Sequence, residues 1–434
     1  TTVTLPASVL AYTERVVRTR RVVPEAATML DAATAQSLVI LADDLTGAAD
    51  SAARCADAGM AAIIAVQIPK APLQCDALAC TSDSRHLPAA LAAQRMRAVL
   101  DDVASQRDCV WYKKIDSTGR GNLGSEIDVM LEVLGRPYAI VCPAFPAQRR
   151  GLRHGFLVQT PTPAPPVHLP SLLTQQSRHP VVSLDLDEVR VGAAHLRRQV
   201  RAATRGGRGR LVVIDALTDD DLATIVSAAM ELPDVLLCGS AGLVGALAAR
   251  LAPAVRSDAH AVPPADSRMD QPALIIVGSG SNAAHRQIAY LRRQSNIMTV
   301  EVGATTVVRE WPGDILFHLP TPAAHLKLAD ATARSFAREL ACTGLATLQR
   351  LQPVLLVLVG GDTAMAVLER LGITHLTVVR ELLPGMPLTH GIDRTGHKRW
   401  VIVKAGNHGD ERTLVTLLQQ VRSQPEHEDG YAAV

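Results

Sequence analysis

The chain predicts an α/β fold of two domains, each a mainly parallel sheet flanked by helices, and three observations carry that expectation. Short apolar runs recur along the sequence, at residues 38–42, 109–115, 138–142, 235–238, 273–277, 354–359 and 400–403, and each stops abruptly at a polar or glycine-rich turn. A stretch with helical spacing follows most of these turns, and uninterrupted apolar runs of this length belong to strands covered on both faces. Finally, 434 residues are too many for one compact core, and residues 253–272, with four prolines, have the composition of a linker. The expected divisions are an extension over 1–35, a first domain over 36–252, the linker, a second domain over 273–423 and a frayed tail over 424–434. The active site is expected in the cleft between the domains.

Taken in order, Leu38-Val39-Ile40-Leu41-Ala42 ends at Asp43-Asp44-Leu45-Thr46-Gly47 before an alanine-rich helix. Ligands of open α/β sheets bind beyond the carboxyl ends of strands, so the two aspartates stand where a site would be. Adjacent residues on an extended chain diverge, and one of the pair should face the ligand. Helix capping by Thr46 or Asp50 is the plainer use of polar residues here. A strand near 63–66 follows, and another near 78–81 leads into Asp83-Ser84-Arg85-His86, with Pro88 opening a helix. His86 reads as a loop histidine, because no second His or Cys stands at ligand spacing.

The densest stretch is Lys113-Lys114-Ile115-Asp116-Ser117-Thr118-Gly119-Arg120-Gly121-Asn122-Leu123-Gly124. Alternation before it puts Val110, Tyr112, Lys114 and Asp116 on one face and Cys109, Trp111, Lys113 and Ile115 on the other. Leu123, Ile127, Met130, Leu131 and Leu134 recur at helical spacing, so a helix starts near Asn122 and offers its first N–H groups to an anion. Arg120 beside them can fork onto a carboxylate or phosphate. The next strand end, Pro143 to Arg150, is again basic, and residues 160–180 hold six prolines and two histidines, as in a rigid surface excursion.

In the second half, three strands each end in a glycine turn: Gly278-Ser279-Gly280-Ser281-Asn282-Ala283, Gly360-Gly361-Asp362-Thr363-Ala364 and Lys404-Ala405-Gly406-Asn407-His408-Gly409-Asp410. Three such turns converging would cradle a polyanion. The first also fits G-x-G-x-x-A, with Glu301 at the place of a ribose-binding acid, so an NAD-dependent oxidoreductase is an alternative. A non-catalytic sugar-acid-binding protein is another, although it leaves Asp362 and Lys404 without a purpose.

Composition narrows the partners. A net charge of +2 and 12 aromatic residues give neither the field nor the stacking surfaces that nucleic acid needs. The longest uncharged apolar stretch, 235–249, is 15 residues and broken by glycine, too short for a membrane span. Seven cysteines without a C-x-x-C pair fit reduced thiols in a cytoplasmic protein, and a homodimer is compatible with the chain. Arginines for a carboxylate and aspartates for hydroxyls in the first half, with glycine turns, Lys404 and Asp362 for a nucleoside triphosphate in the second, make a kinase without a Walker A motif.

The series Ala42-Asp43-Asp44-Leu45-Thr46-Gly47-Ala48, Thr81-Ser82-Asp83-Ser84-Arg85, Lys114-Ile115-Asp116-Ser117-Thr118 with Arg120-Gly121-Asn122, Gly360-Gly361-Asp362-Thr363, and Lys404 with Gly406 and Gly409-Asp410 resembles the motifs of the four-carbon acid sugar kinase family. Their order and spacing run across residues 38–423. The resemblance implies a sugar-acid-binding first domain, an ATP-binding second domain and phosphorylation of the terminal hydroxyl of threonate, erythronate or 3-oxo-tetronate. It assigns Asp43, Asp44, Arg85, Lys114, Asp116, Ser117, Arg120, Gly121 and Asn122 to the acid pocket. ATP would be held by Ser279, Gly280, Ser281, Gly360, Gly361, Asp362, Thr363, Lys404, Ala405 and Gly406. Asp44 or Asp116 is expected to accept the hydroxyl proton, Lys114 and Arg120 to orient the acid, and Asp362 to help hold Mg²⁺. Gly119 stands where a leucine is usual, and Ala405, Asn407 and His408 replace the usual serine, glycine and phenylalanine.

Overall fold

The computed structural model describes residues 37–69, 73–104, 109–160, 166–205, 207, 209–255, 272–301, 311–319, 330–351 and 355–423. The expected extension, almost all of the linker and the tail lie outside the described residues, as do 161–165 of the proline-rich excursion. In the first half the strands are β1 (Ser37–Ala42), β2 (Ala62–Ala65), β3 (Ala77–Thr81), β4 (Cys109–Lys114), β5 (Tyr138–Cys142), β6 (Arg150–Arg153), β7 (Phe156–Gln159), β8 (Val181–Leu184), β9 (Arg210–Ile214) and β10 (Val235–Gly239). The second half supplies β11 (Ala273–Val277), β12 (Met298–Glu301), β13 (Ile315–His318), β14 (Leu355–Val359), β15 (His375–Leu383), β16 (Met386–Ile392) and β17 (Lys398–Lys404).

Where the sequence predicted two sheets, the described residues form one of 15 strands, in the order β12-β13-β11-β14-β17-β16-β15-β2-β3-β1-β4-β10-β5-β9-β8, with β6 and β7 as a separate hairpin. Neighbours in the large sheet are parallel except around β15 and β16. There the hairpin β15–β16 lays its outer edge antiparallel on β2, pairing Leu376 with Ile64. That pairing fuses the halves. The hairpin was not legible because β15 is half-buried and the pair is bulged, with register shifts between Val378 and Arg380 and between Glu381 and Leu383. Pro384-Gly385, a turn dipeptide between β-branched stretches, was the available signal.

The apolar runs are explained by burial on both faces. In β1, Leu38, Ile40 and Ala42 enter one hydrophobic cluster, while Val39 and Leu41 enter another. The first cluster continues through Leu274, Ile276, Leu356, Leu358 and Val403 of the second half, so one core runs beneath both halves. Each such fully buried Leu or Ile contributes roughly 1.5–3 kcal/mol. The alternation read in β4 holds: Val110 and Tyr112 face one core, and Cys109, Trp111 and Ile115 the other. Burial pushes the thiols of Cys55 and Cys142 up to about 12. No helix among the described residues is long and apolar enough to cross a membrane.

Candidate functional site

The carboxyl ends of β1, β3 and β4 face those of β11, β14 and β17 across a cavity of about 430 Å³. Asp44, Arg85, Arg120 and Gly121 line it from the first half; Ser279, Ser281, Gly360, Gly361, Asp362, Thr363 and Gly406 line it from the second. Asp43, Lys114, Asp116, Ser117, Asn122, Gly280 and Lys404 are not among its lining residues.

On the first side, charge is balanced within a tight cluster. Arg85 grips Asp43 with Nε and Nη2, both at 2.7 Å, and donates from Nη1 to Asp44 Oδ2, also at 2.7 Å. Arg120 clamps Asp116 through Nη2 at 2.6 Å and Nε at 3.1 Å, and Arg85 Nη1 stands 3.7 Å from the same carboxylate. Burial opposes the charge on Asp43 and Asp116. The guanidinia outweigh it and hold both carboxyls below the usual carboxylate range, Asp116 well below. Of the adjacent pair, Asp44 faces the cavity and Asp43 lies buried behind it. Asp44 is also the helix cap: its Oδ1 accepts from the Gly47 N–H at 2.8 Å and its Oδ2 from the Thr46 hydroxyl at 2.6 Å, so the capping expected of Thr46 or Asp50 belongs to Asp44.

One expectation for the central stretch changes. The helix Leu123–Val133 starts after Asn122, as read, but its N-terminus is covered: the Gly124 N–H donates to Gln176 Oε1 at 3.0 Å. That N–H is closed to an incoming anion. Asn122 donates its amide nitrogen to the Ser84 and Leu87 carbonyls, at 3.2 and 2.8 Å, and so pins the turn after β3. Lys113 and Lys114 diverge as alternation requires. Lys113 is buried and paired with Glu126 at 2.8 Å, whereas Lys114 donates to the Ile115 carbonyl and stands 4.0 Å from Asp50.

Asp50 is a buried acid with one unpartnered oxygen, and burial pushes its carboxyl up to about 7 despite Lys114. Its folded-state pKa lies above the ordinary unfolded value, so folding takes up a proton between about pH 4 and 7, and stability falls as pH rises through that window. An Asp50→Asn variant should lack this fall. Melting temperatures taken from pH 4 to 8 should therefore show the variant gaining on the wild type up to pH 7 and level beyond it; a constant difference would contradict the assignment.

On the second side, three turns pack so closely that side chains are excluded. A Cβ on Gly278 would strike Thr363 Oγ1, one on Gly406 would strike Ser279 Oγ, and one on Gly361 would come 3.1 Å from Asp44 Oδ2. Gly360, at φ 108°, makes the turn into the helix Gly361–Leu371, a conformation that favours glycine. Ser281 caps the helix Asn282–Gln294 and donates its hydroxyl to the Gly406 carbonyl at 2.6 Å. Lys404 lies behind this cradle with no exposed surface, its Nζ on the Ala405 carbonyl at 2.9 Å, and burial pushes its ammonium down to about 7.

Local spacing missed two features. Asp83, His86 and Asp362 bring ligand atoms within 4.8 Å of one another, so His86 is not an isolated loop histidine. Its partners include a residue from the other half, which no spacing rule within one half reveals. Arg150 and His408 meet between the halves at 3.3 Å. The basic strand end at Arg150 was the only signal for that contact. Glu301 has the opposite fate: it ends edge strand β12, which β13 separates from β11, so it does not stand beside the Gly278 turn as a ribose-binding acid would.

A domain family described as a sugar-binding N-terminal domain matches residues 38–247, and one described as a nucleotide-binding C-terminal domain matches 320–414. A D-threonate kinase of Cupriavidus necator is 32% identical over 87% of this chain and 96% of its own. A 3-oxo-tetronate kinase of Burkholderia multivorans is 29% identical over 88% and 96%, and a D-erythronate kinase of Heliobacterium modesticaldum is 27% identical over the same shares. The crystal structure of a Salmonella typhimurium protein shares the fold with a TM-score of 0.70 at 22% identity, covering 88% of this chain and 99% of that one. The oxidoreductase and binding-only alternatives find no support among these relatives. The chain belongs to the four-carbon acid sugar kinase family and is a sugar-acid kinase.

Proposed function

We propose that this kinase transfers the γ-phosphoryl group of ATP to the terminal hydroxyl of a four-carbon acid of the threonate, erythronate or 3-oxo-tetronate class. The observation that carries the reading is the single cavity with a carboxylate–guanidinium wall on one side and three closely packed glycine turns on the other. The glycine turns, with Ser279, Ser281 and Thr363, suit the phosphates, and bound phosphate would favour the charged form of Lys404 behind them. Arg120, with a side chain 52% exposed, suits the carboxylate of the acid.

In the transfer, the hydroxyl oxygen forms a bond to the γ-phosphorus as the bridging oxygen leaves with ADP, and the hydroxyl proton passes to Asp44. Asp44 is favoured over Asp116 because it faces the cavity and nearly touches the Gly361 turn, whereas two guanidinia suppress the basicity of Asp116. Asp83 and Asp362 are hard oxygen donors that suit Mg²⁺, with His86 beside them. The ion would neutralise phosphate charge.

ADP release with Mg·ATP, measured across D- and L-threonate, D- and L-erythronate and 3-oxo-tetronate, tests the reading. At least one acid should drive release, and ATP at 100 times its dissociation constant should stabilise the fold by roughly 2.7 kcal/mol. Silence across the panel together with no ATP stabilisation would reject it.

A further inference from the structure

Arg150 opens β6 immediately after Arg149, whose left-handed φ of 55° swings the chain back toward the seam between the halves. Its side chain is 4% exposed and forks across that seam. Nη1 donates to Ser117 Oγ at 2.8 Å and meets His408 Nε2 at 3.3 Å, while Nη2 donates to the Asn407 carbonyl at 3.3 Å. These partners are a hydroxyl, an imidazole and a carbonyl. Burial, and then the Arg150 charge itself, hold His408 well below its ordinary range, so the ring is neutral and accepts from Arg150. Arg150 Nε and His408 Nδ1 are both buried without a hydrogen-bond partner. A buried guanidinium whose hydrogen-bond partners are all neutral, with donors to spare and the Asp116 and Asp50 carboxylates near but not bonded to it, is a poor device for stability. Its reach supplies the purpose.

Ser117 adjoins Asp116, which clamps the cavity arginine Arg120 on the acid side. Asn407 lines the cavity beside Gly406 on the nucleotide side. We propose, resting on the kinase reading above, that Arg150 is a positioning residue that makes the acid and nucleotide sites interdependent. Its planar fork sets the spacing of the Ser117 turn against the Asn407 turn, so a ligand that orders one turn prepares the other. Arginine alone suits this task, because it stays charged when buried and presents several donors in fixed geometry.

The test is calorimetric titration of the full chain with a non-hydrolysable ATP analogue, AMP-PNP, in the absence and presence of D-threonate, D-erythronate or 3-oxo-tetronate in turn. In the wild type the acid that drives ADP release should tighten AMP-PNP binding about 5-fold or more, and AMP-PNP should tighten that acid by the same factor. Arg150→Lys keeps the charge without the fork, and His408→Leu removes one acceptor of Nη1 while leaving Arg150 in place. Both should still bind each ligand alone, with the coupling factor falling toward one. A purely structural role would weaken both ligands and leave the factor intact. Wild-type coupling in both variants, or turnover without coupling in the wild type, would overturn the proposal while the kinase reading stands. A wild type that binds neither ligand and releases no ADP would overturn that reading and the proposal with it.

Discussion

Replacing Lys404 with methionine should lower kcat by roughly 10²–10³ while making the empty protein more stable. The opposite signs follow from one fact. The ammonium has no exposed surface, and the one hydrogen bond found for it goes to the neutral Ala405 carbonyl, so folding carries a cation out of water without a close counter-charge. Methionine fills similar volume without that cost, and a gain of about 1–4 kcal/mol is expected. The pH dependence identifies the cause. Burial places the folded-state pKa at about 7, below the unfolded value near 10.4, so between those limits the unfolded chain binds more protons. Wild-type stability therefore rises with pH across that window. The advantage of the variant should be fullest at and below pH 7 and shrink toward pH 10, read as melting temperatures at each pH. Full turnover in the variant would remove Lys404 from the phosphate site, and an advantage that does not change with pH would contradict the cost of burying its ammonium.

Asp44→Asn and Asp116→Asn should separate along different kinetic parameters. Asparagine ranks with aspartate as a helix cap, so Asp44→Asn keeps the Gly47 contact and the start of the helix Leu45–Asp57 while removing the proton acceptor. Its kcat should fall by about 10²–10⁴, more than KM for the acid rises through the lost Arg85 contact. In Asp116→Asn the loss falls on the clamp that orients Arg120, so KM should rise more than kcat falls. Steady-state kinetics on both variants decides between them. Near-normal kcat in Asp44→Asn, with Asp116→Asn inactive, would transfer the base to Asp116.

Much of this site was legible because its signals are local. An apolar run of five residues followed by Asp43-Asp44, or by Gly360-Gly361-Asp362, announces a buried strand ending at a site within a single window. Divergence of neighbouring side chains on a strand foretold that Asp44 and Asp43 would part, and that Lys113 and Lys114 would serve different environments. The helix after Asn122 was equally visible, but the Gln176 side chain that closes its Gly124 N–H comes from a distant segment.

Strand periodicity, glycine turns and the polar residues at strand ends thus follow from the order of residues along the chain, since steric rules and burial act over a few neighbours. The joining of two expected sheets into one, the cation-competent trio of Asp83, His86 and Asp362, and the fork from Arg150 to Asn407 and His408 do not. Each depends on groups far apart in sequence: the Arg150–His408 contact spans 258 residues, and the Leu376–Ile64 pairing crosses from one half to the other. Their proximity is set by the packing of whole strands and cores, which no window along the chain contains.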